Sequence, residues 1–199
     1  MPFYHRLGEI PQKRHTQYRK PDGSLYAEEL ISTEGFSNIL SLVYHCHPPT
    51  LVKDIGDPID KRPKYAVENN LRHRSFLTFN TKPNADYIES RVVLMGNRDL
   101  LITSAAPSKS MTDYFFKNTD SDEVIFVHEG SGTLKTIYGQ ITFGYGDYLV
   151  IPRGTIYQLH FKDANNRLFI TESFTPVYPP KRYLNKFGQF LEHSPYCER

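Results

Sequence analysis

Between Tyr114 and His160 the chain alternates short apolar runs with glycine-rich or polar turns, and this rhythm restricts the fold more than any other stretch. Val124 and Phe126 alternate with Ile125 and Val127, Glu129-Gly130-Ser131-Gly132 turns the chain into Thr133–Tyr138, and Gly139-Gln140 turns it again. Gly144 and Gly146 permit a tight bend before Tyr148–Ile151. Pro152-Arg153-Gly154 then breaks the ladder before Ile156–Phe161, because proline brings no N–H and glycine accepts positive φ. The meander continues to Phe174. This is antiparallel hairpin sequence, and the expected class is all-β, a small barrel.

The spacing Glu123, six residues, Gly130, followed by Gly146, five residues, Pro152, one residue, Gly154, resembles the two signature motifs of the cupins. That resemblance implies a double-sheet β-barrel of the jelly-roll kind. In metal-binding cupins the first motif carries histidines seven and five residues before the glutamate, and the second carries one three residues after the Pro-x-Gly glycine. Here those positions hold Phe116, Asn118 and Tyr157, so only Glu123 keeps its ligand type. The resemblance therefore implies the scaffold without its metal. Phe116, Asn118, Glu123 and Tyr157 are also the candidates for lining a ligand pocket in the barrel mouth. Glu123, if buried beside Tyr157 and Asn118, could titrate at a displaced pKa, and the plainer alternative is a buried hydrogen-bonded pair.

At 199 residues, 39% apolar and 14% aromatic, the chain can bury a sizeable core. Lysine plus arginine number 24 against 22 acids, which gives no general reason to expect nucleic acid or an anionic membrane as partner. There is no apolar run long enough to span a bilayer, and Met1–Ile10 lacks the apolar core of a signal peptide, so the expected location is cytoplasmic. Cys46 and Cys197 have no metal-like spacing, and in a reducing compartment both remain thiols.

From Met1 to about Ser90 prolines are frequent and apolar runs short, the strongest being Ile39–Tyr44. This opening carries a more specific resemblance. SLYAEEL, STEGFS and SLVYHCHPPT are similar to the amino-terminal region of homogentisate 1,2-dioxygenases, those of bacteria above all, and SMTDYFFKN, DEVIFVHEGSGTL, YGDYLVIPRGTIYQ and GQFLEHSPYCER extend the likeness over nearly the whole chain. The resemblance implies a longer parent with a metal-free first barrel and a second barrel holding Fe(II) through two histidines and a carboxylate. It also implies ring cleavage of homogentisate by dioxygen in tyrosine and phenylalanine breakdown, and homo-oligomers built as trimers or pairs of trimers. Residues 1–90 would be an arm and wrapping strands, 91–178 the barrel, and 179–199 a connector toward a carboxy-terminal catalytic barrel. Near that end Tyr183, Leu184, Phe187, Phe190 and Leu191 fall near helical spacing, with Gly188 interrupting, which predicts a short helix or turn. Nothing resembling the second barrel follows before Arg199, so the expectation is a fragment with a structural and oligomerisation role, inactive alone and without a cofactor of its own.

The remaining candidates carry less. His45 and His47 share one face if extended and, with Glu123, are weak metal candidates, but Pro48-Pro49 ends the strand and no further partner can be assigned. His128 at a hairpin mouth and His160 in a strand read as structural. His5, His15, His73 and His193 lie in polar settings, and Asp113, Asp120 and Asp122 read as turn and strand-edge residues. Lys13, Arg14, His15, Arg19 and Lys20 form a basic cluster, yet Pro21-Asp22-Gly23 and the nearby acids suggest a solvated arm and no nucleic-acid site. Two alternatives stand beside the scaffold reading: a stand-alone metal-free cupin that binds a small ligand, and an epimerase- or isomerase-like cupin, which needs a histidine such as His128 or His160 in the mouth.

Overall fold

The computed structural model describes residues 17–49, 52–66 and 72–195. They are nearly all strand and coil, and they cluster into two units, one of residues up to Asp54 with those from Tyr178, the other Ile55–Val177. In the first unit β1 (Ala27–Glu34) and β2 (Ser37–His45) form an antiparallel hairpin that contains the expected Ile39–Tyr44 run. Gly35 turns it at φ +61°. After Pro179-Pro180 the helical spacing yields only a 3-10 turn at Lys181–Tyr183. The reason lies a few residues on. Asn185 accepts the backbone N–H groups of Phe187 and Gln189 on Oδ1, and Gly188 takes φ +82°, so a side-chain-capped turn replaces helix hydrogen bonds.

The second unit holds the barrel. Its strands are β3 (Arg91–Gly96), β4 (Leu100–Ala105), β5 (Phe116–Lys117), β6 (Asp122–Glu129), β7 (Gly132–Thr136), β8 (Gly139–Phe143), β9 (Tyr148–Ile151), β10 (Ile156–Phe161) and β11 (Arg167–Ser173). They pair antiparallel into a four-stranded sheet, order β5-β10-β7-β8, and a five-stranded sheet, order β3-β4-β11-β6-β9. This is the expected cupin-like double sheet. β9 and β10 fall where the glycine and proline punctuation puts them. The Gly139-Gln140 turn is displaced: those residues already belong to β8, and the reversal occurs at Ile137-Tyr138, where Thr136 accepts the Tyr138 N–H.

Alternation places one residue set of each strand inward. On the five-stranded sheet Val127, Ile125, Ile170, Leu168, Leu149 and Ile151 are buried, and they meet Leu134, Leu159, Phe143 and Tyr157 from the facing sheet. The unit that contains the barrel reaches back to Ile55. Part of the reason is a side-chain turn at Asp86, whose Oδ1 accepts the N–H groups of Ile88 and Glu89 and drives Tyr87 fully into the core.

The two outer faces differ. On the four-stranded sheet the outward positions of β7, β8 and β10 are Thr133, Lys135, Gln140, Thr142, Ile156, Gln158 and His160, a mostly polar set in which Gln158 is buried and donates to the Tyr114 carbonyl. On the five-stranded sheet one cross-strand row runs Val92, Ser104, Phe169, Phe126, Tyr148 and the next runs Met95, Ile102, Thr171, Val124, Val150. That sheet is apolar on both sides, and its outward Tyr148, Val150 and Phe169 are exposed. Among the described residues no helix is long and apolar enough to cross a membrane.

Candidate functional site in the barrel mouth

Glu123 is the first inward residue of β6, ahead of Ile125 and Val127, and the register sets it directly opposite Glu172 on β11. Two carboxylates opposed across a ladder repel each other. The charge that holds them comes from β3: Arg91 pairs through Nη2 with Glu123 Oε1 and through Nη1 with Glu172 Oε1 at 3.2 Å. The Glu123 side chain is fully buried, and those of Arg91 and Glu172 are each 13% exposed. The second oxygen of Glu123 accepts the Tyr157 hydroxyl from β10.

Aromatic rings close the arrangement. The guanidinium carbon lies 4.3 Å from the Tyr87 ring centre and 5.6 Å from that of Phe116, and Phe116 meets Tyr157 edge to face at 5.7 Å. Asn118 Nδ2 donates to Ser121 Oγ at 2.9 Å and to Glu172 Oε2 at 3.4 Å, while its Oδ1 accepts the N–H groups of Asp120 and Ser121, so this amide is largely spent on the turn before β6. All four mouth positions named from the sequence therefore converge, on a guanidinium that spacing did not single out.

The electrostatics follow from burial and these neighbours. Burial opposes the Arg91 charge, but the surrounding oxygens of Tyr87, Glu123, Tyr157 and Glu172 outweigh it and hold its pKa well above the ordinary value. Burial pushes the Tyr157 hydroxyl well above the usual phenol range, with Tyr87 and Glu123 adding to it, and burial raises Tyr87 as well. Glu172 is raised by burial and by the Glu123 charge, against the pull of Arg91.

These residues do not fit the metal that metal-binding cupins hold at the corresponding positions. Phe116 has no lone pair, Tyr157 is held in its neutral form, and both Glu123 oxygens are engaged. A metal would have to displace a guanidinium that is covalently tethered to the site. Among the described residues no group of three or more His, Cys, Asp and Glu side chains gathers as a ligand set. His45 is satisfied by Glu29 at 2.8 Å, and Cys46 and His47 are exposed.

A cleft of about 750 Å³ opens at the mouth, with Phe116, Asn118, Arg91, Glu172, Ile88 and Phe174 among its walls. Phe116 and Asn118 line it. Glu123 and Tyr157 do not: they lie behind Arg91, both fully buried. His128 lies outside the mouth, on the outer face of the five-stranded sheet, stacked edge-on against Phe79 at 4.9 Å beside a hollow of about 200 Å³. His160 points outward from β10 and bonds Gln158 at 2.9 Å. Neither offers the mouth histidine that an epimerase-like reading needs. Asp122 is buried, and its carboxylate accepts the Arg153 and Val177 N–H groups, a structural clamp. His73 and His193 are exposed, while His5, His15, Lys13, Arg14 and Cys197 lie outside the described residues.

Arg91, Glu172 and Tyr87 escaped sequence reasoning because none belongs to a spaced motif. The available signal was weak: one arginine opening the apolar strand RVVLMG, and one acid inside RLFITES.

Among solved structures, a cupin-2 domain protein from Shewanella frigidimarina aligns at a TM-score of 0.41 and 22% identity, over 48% of this chain and 88% of that one. Among curated proteins, the provisionally named dioxygenase SSO1533 of Saccharolobus solfataricus is 39% identical over all of this chain and 51% of its own length. Homogentisate 1,2-dioxygenase of Dictyostelium discoideum is 26% identical over 84% of this chain and 41% of its own. The chain thus spans about half the length of the curated relatives it matches. The family model described as homogentisate 1,2-dioxygenase N-terminal matches residues 8–181, and the chain belongs to that family.

Proposed function

We propose that this chain is the metal-free supporting barrel of a homogentisate 1,2-dioxygenase-like protein. In this reading Fe(II)-dependent ring cleavage takes place in a second barrel of the longer protein. The observation that carries it is the Arg91 pairing with Glu123 and Glu172, which commits the retained carboxylate of the cupin motif to an internal cation. A site whose charges are already paired has no open coordination position for dioxygen or a substrate oxygen. Membership of the amino-terminal family supports the assignment of the chain to this half, and the name of the Dictyostelium relative supports the reaction.

The partner in this reading is the remaining half of the longer protein, docked on the outer face of the five-stranded sheet. Two adjacent apolar rows across five strands are what a covered sheet presents, since antiparallel sheets that face water alternate apolar-in with polar-out. Association into trimers or pairs of trimers belongs to the same proposal, read by sedimentation of the longer protein.

The test is anaerobic Fe(II) loading of the 199-residue chain, desalting, metal analysis and an oxygen-uptake assay with homogentisate. The expected result is iron at the level of a buffer control and no uptake. One retained iron per chain with homogentisate-dependent uptake would overturn the reading.

A further inference from the structure

The geometry around Arg91 is that of a receptor for a planar cation. Glu123 and Glu172 stand opposite one another in register and present Oε1 atoms to two separate nitrogens of one fork. The guanidinium carbon also lies over two aromatic rings, 4.3 Å from the centre of Tyr87 and 5.6 Å from that of Phe116. A strongly hydrated compact ion would gain from the two carboxylates but would have to shed its water to reach the rings and offers no fork, whereas a delocalised, weakly hydrated guanidinium uses carboxylates and rings together. Tyr157, donating to the far oxygen of Glu123, fixes the direction in which that carboxylate faces the fork.

We propose that Glu123, Glu172, Tyr87 and Phe116 form a guanidinium receptor that the Arg91 side chain fills from within, tying β3 to β6 and β11 as a bound cation would. The inference rests on the metal-free reading above and goes past it, naming the cation that took over and the shape it requires. Its consequence is that the receptor can be refilled. With the arginine side chain removed, the carboxylates and rings are left without the charge that holds them, and an exogenous guanidinium supplies it and restores the arrangement.

The experiment is chemical rescue of Arg91→Ala in the 199-residue chain, with ethylguanidinium chloride as probe at low millimolar concentration, far below denaturing levels. Breaking a buried pair from one side leaves charge uncompensated, so the variant loses roughly 100-fold or more in its folding equilibrium constant. Ethylguanidinium restores thermal stability saturably, and ethylammonium or Mn²⁺ at the same concentration does not. Should Arg91→Ala fail to fold, the triple change Arg91→Met, Glu123→Gln, Glu172→Gln keeps the volume and removes all three charges. It folds and is indifferent to ethylguanidinium, and Arg91→Lys, which keeps the charge without the fork, stays less stable than the natural chain. The proposal fails if Arg91→Ala matches the natural chain, if Mn²⁺ rescues as well as ethylguanidinium, or if Arg91→Lys is fully stable. Iron uptake by the natural chain is a separate result that would sink the metal-free reading, while absent rescue without iron uptake would sink the receptor alone.

Discussion

At the scale of single residues, the mouth is a set of polar groups whose burial is tolerable only together. Tyr157→Phe removes the donor from the buried second oxygen of Glu123, and the expected loss is about 1–3 kcal/mol at neutral pH, measured by urea unfolding. The same phenol sets an alkaline limit. Tyr157 and Tyr87 hold their protons in the folded barrel above the ordinary phenol pKa, so their contribution is intact below about pH 10 and lost as pH rises beyond it, where the unfolded chain releases protons that the fold retains. Tyr157→Phe should therefore flatten the fall of stability with pH above about 10 even as it lowers the neutral value. His160 behaves in the opposite sense: burial and then the Lys135 charge depress its pKa, so stability falls as pH drops from about 6.5 through the depressed value. His160→Gln should remove that part of the acid dependence in thermal melts. Glycine and proline spacing brought Phe116, Asn118, Glu123 and Tyr157 forward as a group, though not the division between cleft wall and buried interior. Arg91 was not legible, since 32 and 81 residues separate it from the two carboxylates it joins and only folding brings them together.

At the scale of elements, the glycine punctuation that exposed the strands also fixes tolerances. Gly130 turns from β6 toward β7 at φ +99°, and a Cβ there would sit 2.0 Å from Oδ1 of Asn166. Asn166 cannot yield easily, because it is buried and its amide donates to the Pro107 and Asp163 carbonyls. Gly130→Ala should cost roughly 2–4 kcal/mol, positive φ and overpacking each contributing, and calorimetry would show it as a lowered melting point. β9 and β10 were readable for the same reason, bounded by Gly146 and Pro152-Arg153-Gly154. β3 and β4 were not singled out beforehand, because Asn97 makes their turn through its side chain, accepting the N–H groups of Asp99 and Leu100, and no glycine or proline stands in it. After Tyr183 local side-chain capping decides between the two expected outcomes, a short helix or a turn, in favour of turns.

At the scale of the whole molecule, the barrel pairs one polar outer face with one apolar one. Val150→Lys with Phe169→Lys places charge on exposed positions of the apolar face and leaves the inward rows untouched. The isolated chain should keep its melting point within a few degrees and self-associate less in sedimentation, and, if the proposed docking holds, the longer protein should lose the contact between its halves. Unchanged association in both would remove that face from consideration as an interface. The Arg91 pairing also bears on how such a protein is made. A cation carried on the chain is delivered by translation in fixed proportion to its carboxylates, and neither a chelator nor an iron-poor medium can withhold it. In the proposed reading, such a barrel finishes folding without drawing on the cell's metal supply, and stands ready as a template while a metal-dependent half waits for its ion.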